Sequence, residues 1–410
     1  MGVKGCWGKG SDMGGTKLSG RRWIPATLVG AGLVAVLAMT GCTTTGAGTA
    51  TSVGGGLVEQ PEPAKITVSP AAGAKDVGPG GPIAVSVADG TLEKVTLTNP
   101  DGKQVKGELA ADKKSWKLGE DLGYAKTYTW SGSALGADGK SVPLSGSFTT
   151  VKPKSQIKAS LNTGDGQTYG VAMPIALTFD APVKDRAAVQ KALTVETSVD
   201  TEGAWAWLSD RSAHWRPKEY WKPGTKVTVK ADTYGIAFGN GAYGRNDVTS
   251  TFTIGRYQVV QGNTQTHRMV VKTEAGQTHD FPASFGLESD PGRVTKSGTH
   301  VVMSKHASYG MTNPKYNYEN VVVPWAVRIS NNGEFIHGYA PSIWAQGKQN
   351  VSHGCINLAP ANAKLYFETV LPGDPVEIIG STQQLGAQDG DYYDWALSWD
   401  KWQALSAEAP

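Results

Sequence analysis

The chain has 410 residues, room for two to three domains, with 39 basic and 36 acidic side chains and a net charge of +3. Its basic residues are not gathered into runs, which argues against a nucleic-acid partner, because phosphate recognition needs a concentrated positive face. Gly (52) and Pro (22) stay well short of collagen-like or low-complexity levels, and 39% hydrophobic residues with 13 Trp are enough to build cores.

At the N-terminus, Arg21 and Arg22 precede a short apolar run from Ala26 to Met39, then Thr40-Gly41-Cys42. Charge followed by a short apolar stretch and small residues reads as an export leader, residues 1–41. The small residues before Cys42 resemble a bacterial lipobox, with Met39 where Leu is usual. The resemblance implies cleavage before Cys42, lipidation of its thiol and anchoring to the outer face of a membrane. Removing 1–41 takes five basic residues and one acidic one, leaving 34 and 35, a net charge of −1. The basicity therefore belongs to the leader. Cys6 goes with it and Cys42 is spoken for, so Cys355 is the one thiol left and no intramolecular disulfide can form.

Residues 42–62 are small, polar and Gly-rich and cannot bury enough apolar surface to order themselves, so they are expected to act as a tether. Over 63–152, short runs alternate with period two (Ile83–Val87, Val95–Thr98) between turns at Asn99-Pro100-Asp101-Gly102 and Ala137-Asp138-Gly139-Lys140. This pattern predicts an immunoglobulin-like β-sandwich. A second such module is expected over 153–254, with strands at Ile175–Phe179 and Lys226–Lys230 and a short helix at 185–193 capped by Asp185. Its four tryptophans, Trp205, Trp207, Trp215 and Trp221, read as core rather than as a glycan platform. Both modules end on similar strands, Gly146–Thr149 and Ser250–Thr253.

Residues 255–380 read as a further β-rich domain. Strands are expected at Arg268–Lys272, His300–Met303, Val321–Ile329 and Pro375–Ile379, and one helix begins at Pro360 with Ala363, Phe367 and Val370 on a face. The final segment, 381–410, carries Trp395, Trp399 and Trp402 at helical spacing and is expected to pack as a tail on that third domain. Asp389, Asp391 and Asp394 lack the spacing of a calcium loop and are expected to form a solvated turn.

Chemistry concentrates in Ser352-His353-Gly354-Cys355-Ile356-Asn357. A thiol nucleophile needs a base and backbone N–H groups facing a developing oxyanion, and Gly354 lets the backbone turn towards a substrate. Of seven histidines, His214, His267, His279, His300 and His306 are scattered and read as structural. His353, two residues from Cys355, would share its face on a strand. His337 ends the strand-like run after the Asn331-Asn332-Gly333 turn. Spacing alone leaves both open as the base. A zinc site is not favoured, because an i, i+2 His-Cys pair is a poor start for tetrahedral ligation.

Phe335-Ile336-His337-Gly338 together with Ser352-His353-Gly354-Cys355-Ile356-Asn357, fourteen residues lying between His337 and Ser352, resembles the L,D-transpeptidase signature. The likeness extends over roughly 255–380, and the two upstream β modules match the arrangement of actinobacterial members. The resemblance implies that Cys355 is the nucleophile and His337 the general base, its ring oriented by the carbonyl of Gly338, a position often held by Ser. It further implies that Ser352, His353 and Asn357 shape the motif loop and that the amides of Gly354 and Cys355 stabilise the oxyanion. Tyr318 and Met303 look like the Tyr and Met lining the donor site, with Tyr339 and Trp344 at its mouth. The implied partners are two peptidoglycan stem tetrapeptides, donor and acceptor, with carbapenems as covalent inhibitors and no metal or organic cofactor. Two other readings stay open: an L,D-carboxypeptidase with water as acceptor, and a wall-binding lipoprotein without catalysis.

Overall fold

The computed structural model describes residues 61–389 and 392–408. The leader, Cys42 and almost all of the tether lie outside the described residues. The chain is mainly β throughout.

In the first module, strands Lys65–Ser69, Ala84–Ala88, Ser115–Leu118 and Gly107–Leu109 form one antiparallel sheet, in that spatial order. Gly90–Thr98, Thr127–Gly136 and Ser141–Thr149 form the other. Alternation sends Tyr128, Trp130 and Ala134 inward from the central strand, where they meet Val85, Leu97, Trp116 and Phe148. Trp116 and Trp130 pack edge to face at 5.3 Å. The Asn99 side chain accepts from the amides of Asp101 and Lys103, which closes the predicted turn.

The second module repeats the plan with two four-stranded sheets, and its core buries all four tryptophans. Helix Arg186–Gln190 is capped by Asp185, whose carboxylate accepts from the Ala188 amide at 3.0 Å. Tyr124 of the first module donates to the Gly244 carbonyl at 2.6 Å and accepts from the Gly235 amide at 2.8 Å. Those bonds fasten the first module to the second.

The third domain has a five-stranded sheet, in the order Gly276–Pro282, Arg268–Thr273, Gln258–Asn263, Pro375–Ile379 and Gly298–Val301. A four-stranded sheet runs Ser304–Asn313, Tyr318–Arg328, Phe335–Gly338 and Ile356–Leu358. A single core that includes Val260, Met269, Phe285, Ile336, Ile356 and Leu358 joins them. Helix Pro360–Thr369 lays Ala363 and Tyr366 on that core, and the Lys305 ammonium donates to the carbonyls of Phe367 and Val370 at its C-terminal end. Arg256 grips Asp374 with two 2.7 Å hydrogen bonds, and Tyr220 of the second module donates to Glu377 at 3.0 Å.

The tail departs from expectation in part. Its first part keeps to the third domain, where Ser297 exchanges backbone hydrogen bonds with Gln383 and Leu385. From Tyr392 onward it packs on the second module as well, while the turn Asp394–Ala396 still meets strand Gly298–Val301 of the third domain. Trp402 is fully buried there and donates to the Ala204 carbonyl at 2.9 Å. The Arg216 guanidinium lies over the rings of Trp395, Trp399 and Trp402 at 4.6, 5.2 and 4.9 Å. Arg216 offers the cation that three aromatic faces attract. The acidic cluster is not a solvated turn either. Asp389 is buried against Lys296, and Asp394 accepts from His214 Nδ1 at 2.8 Å. Buried carboxylates are held by such partners. Asp391 lies outside the described residues.

Candidate active site

Two short parallel strands bring the motifs together. Phe335–Gly338 pairs with Ile356–Leu358 in the register Ile336↔Ile356, His337↔Asn357 and Gly338↔Leu358. Period two then divides the side chains. Ile336, Ile356 and Leu358 enter the core, while Phe335, His337, Cys355 and Asn357 share the opposite face. Residues twenty apart in sequence thus become neighbours across one ladder.

That face floors a cleft of about 320 Å³. His337, Cys355, Ser352, His353, Asn357, Tyr318 and Tyr339 all line it, seven positions the sequence points to. Two others it does not bring in. Met303 lies elsewhere, in a small cavity with Ile329, Leu385 and Tyr393 near the tail. Met311 holds the place expected of it. Met311 lies within strand Ser304–Asn313, opposite Val321, whereas Met303 lies just before that strand and takes no part in its hairpin register. Trp344 is 61% exposed on the turn after Tyr339 and stands outside the lining. Sequence reasoning also missed Val321 and Val323, whose signal is ordinary strand alternation, and Tyr316, Ser342 and Val351, which lie on turns and a loop and carry no periodic signal.

The loop 352–355 is a bend rather than a strand, with Gly354 at φ +114°. The face-sharing argument for His353 therefore fails, and the ring instead sits 4.9 Å from Tyr316 and 5.5 Å from Tyr318 at the rim. Burial and the Arg293 charge lower its pKa. Ser352 Oγ donates to the Cys355 carbonyl at 2.6 Å and accepts from the Gly354 amide at 3.2 Å. The Gly354 amide is thus engaged within the loop, contrary to the expectation that it faces an oxyanion. Arg293 fixes the carbonyls of Val351 and Ser352, and Thr295 donates to that of Gly354 at 2.8 Å. None of these anchors was legible in the motif.

His337 Nδ1 lies 3.1 Å from the Gly338 carbonyl. A carbonyl only accepts, so Nδ1 carries the proton and Nε2 is the basic nitrogen. A side chain on Gly338 would stand 3.0 Å from Pro360 Cα and 3.1 Å from Pro324 Cγ, tight quarters that suit glycine. Burial holds the imidazole down to about 4, against the pull of the Gly338 carbonyl. Burial likewise pushes the Cys355 thiol up to about 12, opposed by the Phe335 amide and Arg328. The pair therefore rests as neutral thiol and neutral imidazole rather than as an ion pair. Asn357 donates to Ser342 Oγ at 3.3 Å, and its buried Oδ1 has no partner in the protein.

Sequence families agree with this arrangement. The L,D-transpeptidase catalytic domain family matches residues 257–378, and the bacterial Ig domain family matches 74–237. L,D-transpeptidase 5 of Mycobacterium tuberculosis is 47% identical over 395 residues, covering 95% of this chain and 86% of that protein. L,D-transpeptidase 2 of the same species is 36% identical over 353 residues, covering 84% of this chain and 85% of its own. A solved structure of the L,D-transpeptidase LdtMt1 in complex with imipenem is 32% identical, spans 55% of this chain and 100% of its own, and has a TM-score of 0.47. With the motif strands paired in one cleft and nearly the full length matched to two relatives, the chain belongs to the L,D-transpeptidase family.

Proposed function

We propose that this protein joins peptidoglycan stem peptides through a thioester on Cys355, forming 3→3 cross-links with release of D-Ala. The observation that carries the reading is that Cys355, immediately before strand Ile356–Leu358, and His337, on the strand paired with it, line one cleft, with His337 Nε2 left basic by the Nδ1 hydrogen bond. The donor tetrapeptide lies along the wall formed by Met311, Tyr318 and Val323, and the unpartnered Asn357 Oδ1 accepts one of its amide N–H groups. Cys355 attacks the carbonyl between the third residue and terminal D-Ala while Nε2 takes the thiol proton. Because both groups start neutral, proton transfer and attack proceed together, and no free thiolate is needed. The Cys355 amide meets the oxyanion, since that of Gly354 is engaged by Ser352. The imidazolium returns its proton to the leaving D-Ala amine, and a thioester remains. The side-chain amine of a second stem then attacks, gives a proton to Nε2 and frees Cys355. A β-lactam, which presents a strained carbonyl in place of the donor, would open on the same sulfur, consistent with the imipenem complex of the relative.

Incubation with a disaccharide-tetrapeptide tests this. Cross-linked dimer should form with wild type and be lost with Cys355→Ala; tripeptide alone would mean that water is the acceptor. We further propose that 1–41 directs export, that Cys42 carries lipid and that 42–62 holds the folded part above the membrane. Cys42→Ser should then release the protein from the membrane fraction, and unchanged sedimentation with membranes would oppose lipidation.

A further inference from the structure

Acyl transfer leaves one group beside the nucleophile unused. Glu334, immediately before Phe335, is 3% exposed, and neither of its carboxylate oxygens has a hydrogen-bond partner. Its Cγ lies 3.5 Å from where a Cβ on Gly354 would stand, so the side chain lies under the bend that carries Cys355. His300, fully buried on strand Gly298–Val301, faces it with Nδ1 3.9 Å from Oε2. His300 Nε2 donates to the Lys296 carbonyl at 2.9 Å, which leaves Nδ1 directed at Glu334 without another partner. Three buried polar atoms without hydrogen bonds, gathered behind one loop, call for an explanation.

The other charges around Glu334 are committed elsewhere. The Arg328 guanidinium lies over the Phe335 ring at 4.4 Å and donates to the Ser330 carbonyl and the Tyr309 hydroxyl. The Lys296 ammonium is paired with Asp389. A carboxylate buried alone is costly, so the group best placed to balance Glu334 is His300.

We propose that the buried Glu334 carboxylate, with His300 as its nearest neighbour and lying against the catalytic bend, keeps Cys355 an unreactive thiol until substrate is bound. This rests on the reading of Cys355 as the nucleophile. Both residues act through the loop and touch no reacting atom, so they are positioning residues. A negative charge under the bend opposes a second one on Sγ, adding to the effect of burial on the thiol. Oxidants and stray electrophiles consume thiolate rather than thiol. During catalysis His337 removes the proton in step with attack, so the guard costs the reaction less than it costs those side reactions.

The test is alkylation of the full-length protein by iodoacetamide across pH, read at Cys355 by peptide mass, for wild type and Glu334→Gln. The variant should react at least about fivefold faster at neutral pH, with its profile displaced to lower pH, whatever happens to its melting temperature. A folded variant that alkylates at the wild-type rate or more slowly would overturn the proposal. Glu334→Asp, which keeps the charge, should alkylate within about twofold of the wild type, and a rate as fast as that of Glu334→Gln would overturn it equally. Alkylation requires no stem peptide, so failure here leaves acyl transfer standing, and absence of cross-linking leaves this result readable.

Discussion

At the scale of single residues, the chemistry turns on two neutral groups made so by burial. His337 becomes imidazolium only below about 4 and Cys355 becomes thiolate only near 12. The competent thiol–imidazole form therefore spans the whole neutral range. Acylation by a carbapenem should vary less than about threefold between about pH 6 and 9 and fall off only in acid. A rate rising about tenfold per pH unit would instead indicate a free thiol ionising in solution. His337→Ala should remove most of the acylation rate in stopped flow, and His353→Ala should spare far more of it, because the latter ring stacks at the rim. The reverse order would move the base to His353. The identity of Cys355 and the two candidate histidines was legible in the sequence. The choice between those histidines was not legible from spacing, because it depends on the bend at Gly354, which takes His353 off the face that a strand would have given it.

At the scale of elements, a parallel pair of strands three and four residues long does the assembling. Alternation along each was readable in sequence, but the register between them was not, and register decides which side chains share a face. A related limit applies to Met303 and Met311. Each satisfies a local expectation of an apolar residue near the cleft, but Met311 lies within strand Ser304–Asn313 on the wall and Met303 lies before it, beside the tail. Met311→Ala should raise KM for the donor stem several-fold with little change in kcat, as expected for lost binding surface. Met303→Ala should leave both constants near wild type while lowering stability. Steady-state kinetics on a soluble muropeptide separates the two, and a KM effect confined to Met303→Ala would restore the original expectation.

At the scale of the whole molecule, the tail reaches further than expected, onto the second module as well as the third domain. Trp395, Trp399 and Trp402 were legible as a packing face, but their partner was not, because the cation they surround, Arg216, lies about 180 residues earlier. By closing on the second module, the tail ties that module to the third domain alongside the Tyr220–Glu377 contact and the backbone hydrogen bonds from Gly170 to Pro372 and from Ala172 to Gly373. The β-sandwich plan itself was readable, since alternating runs and Gly-containing turns are local signals, whereas interdomain contacts are not. Trp402→Ala should cost about 3–5 kcal/mol of stability by emptying a buried site, measured by denaturant unfolding. A loss near zero would mean that the tail only rests on the second module.

The account depends most directly on a covalent bond to one sulfur. The intact mass of residues 43–410 after mixing with a disaccharide-tetrapeptide measures it, for wild type and for Cys355→Ala. Wild type alone should gain the mass of the donor less D-Ala, with cross-linked dimer appearing in the supernatant. No adduct on folded wild type, or the same adduct on Cys355→Ala, would contradict acyl transfer through Cys355.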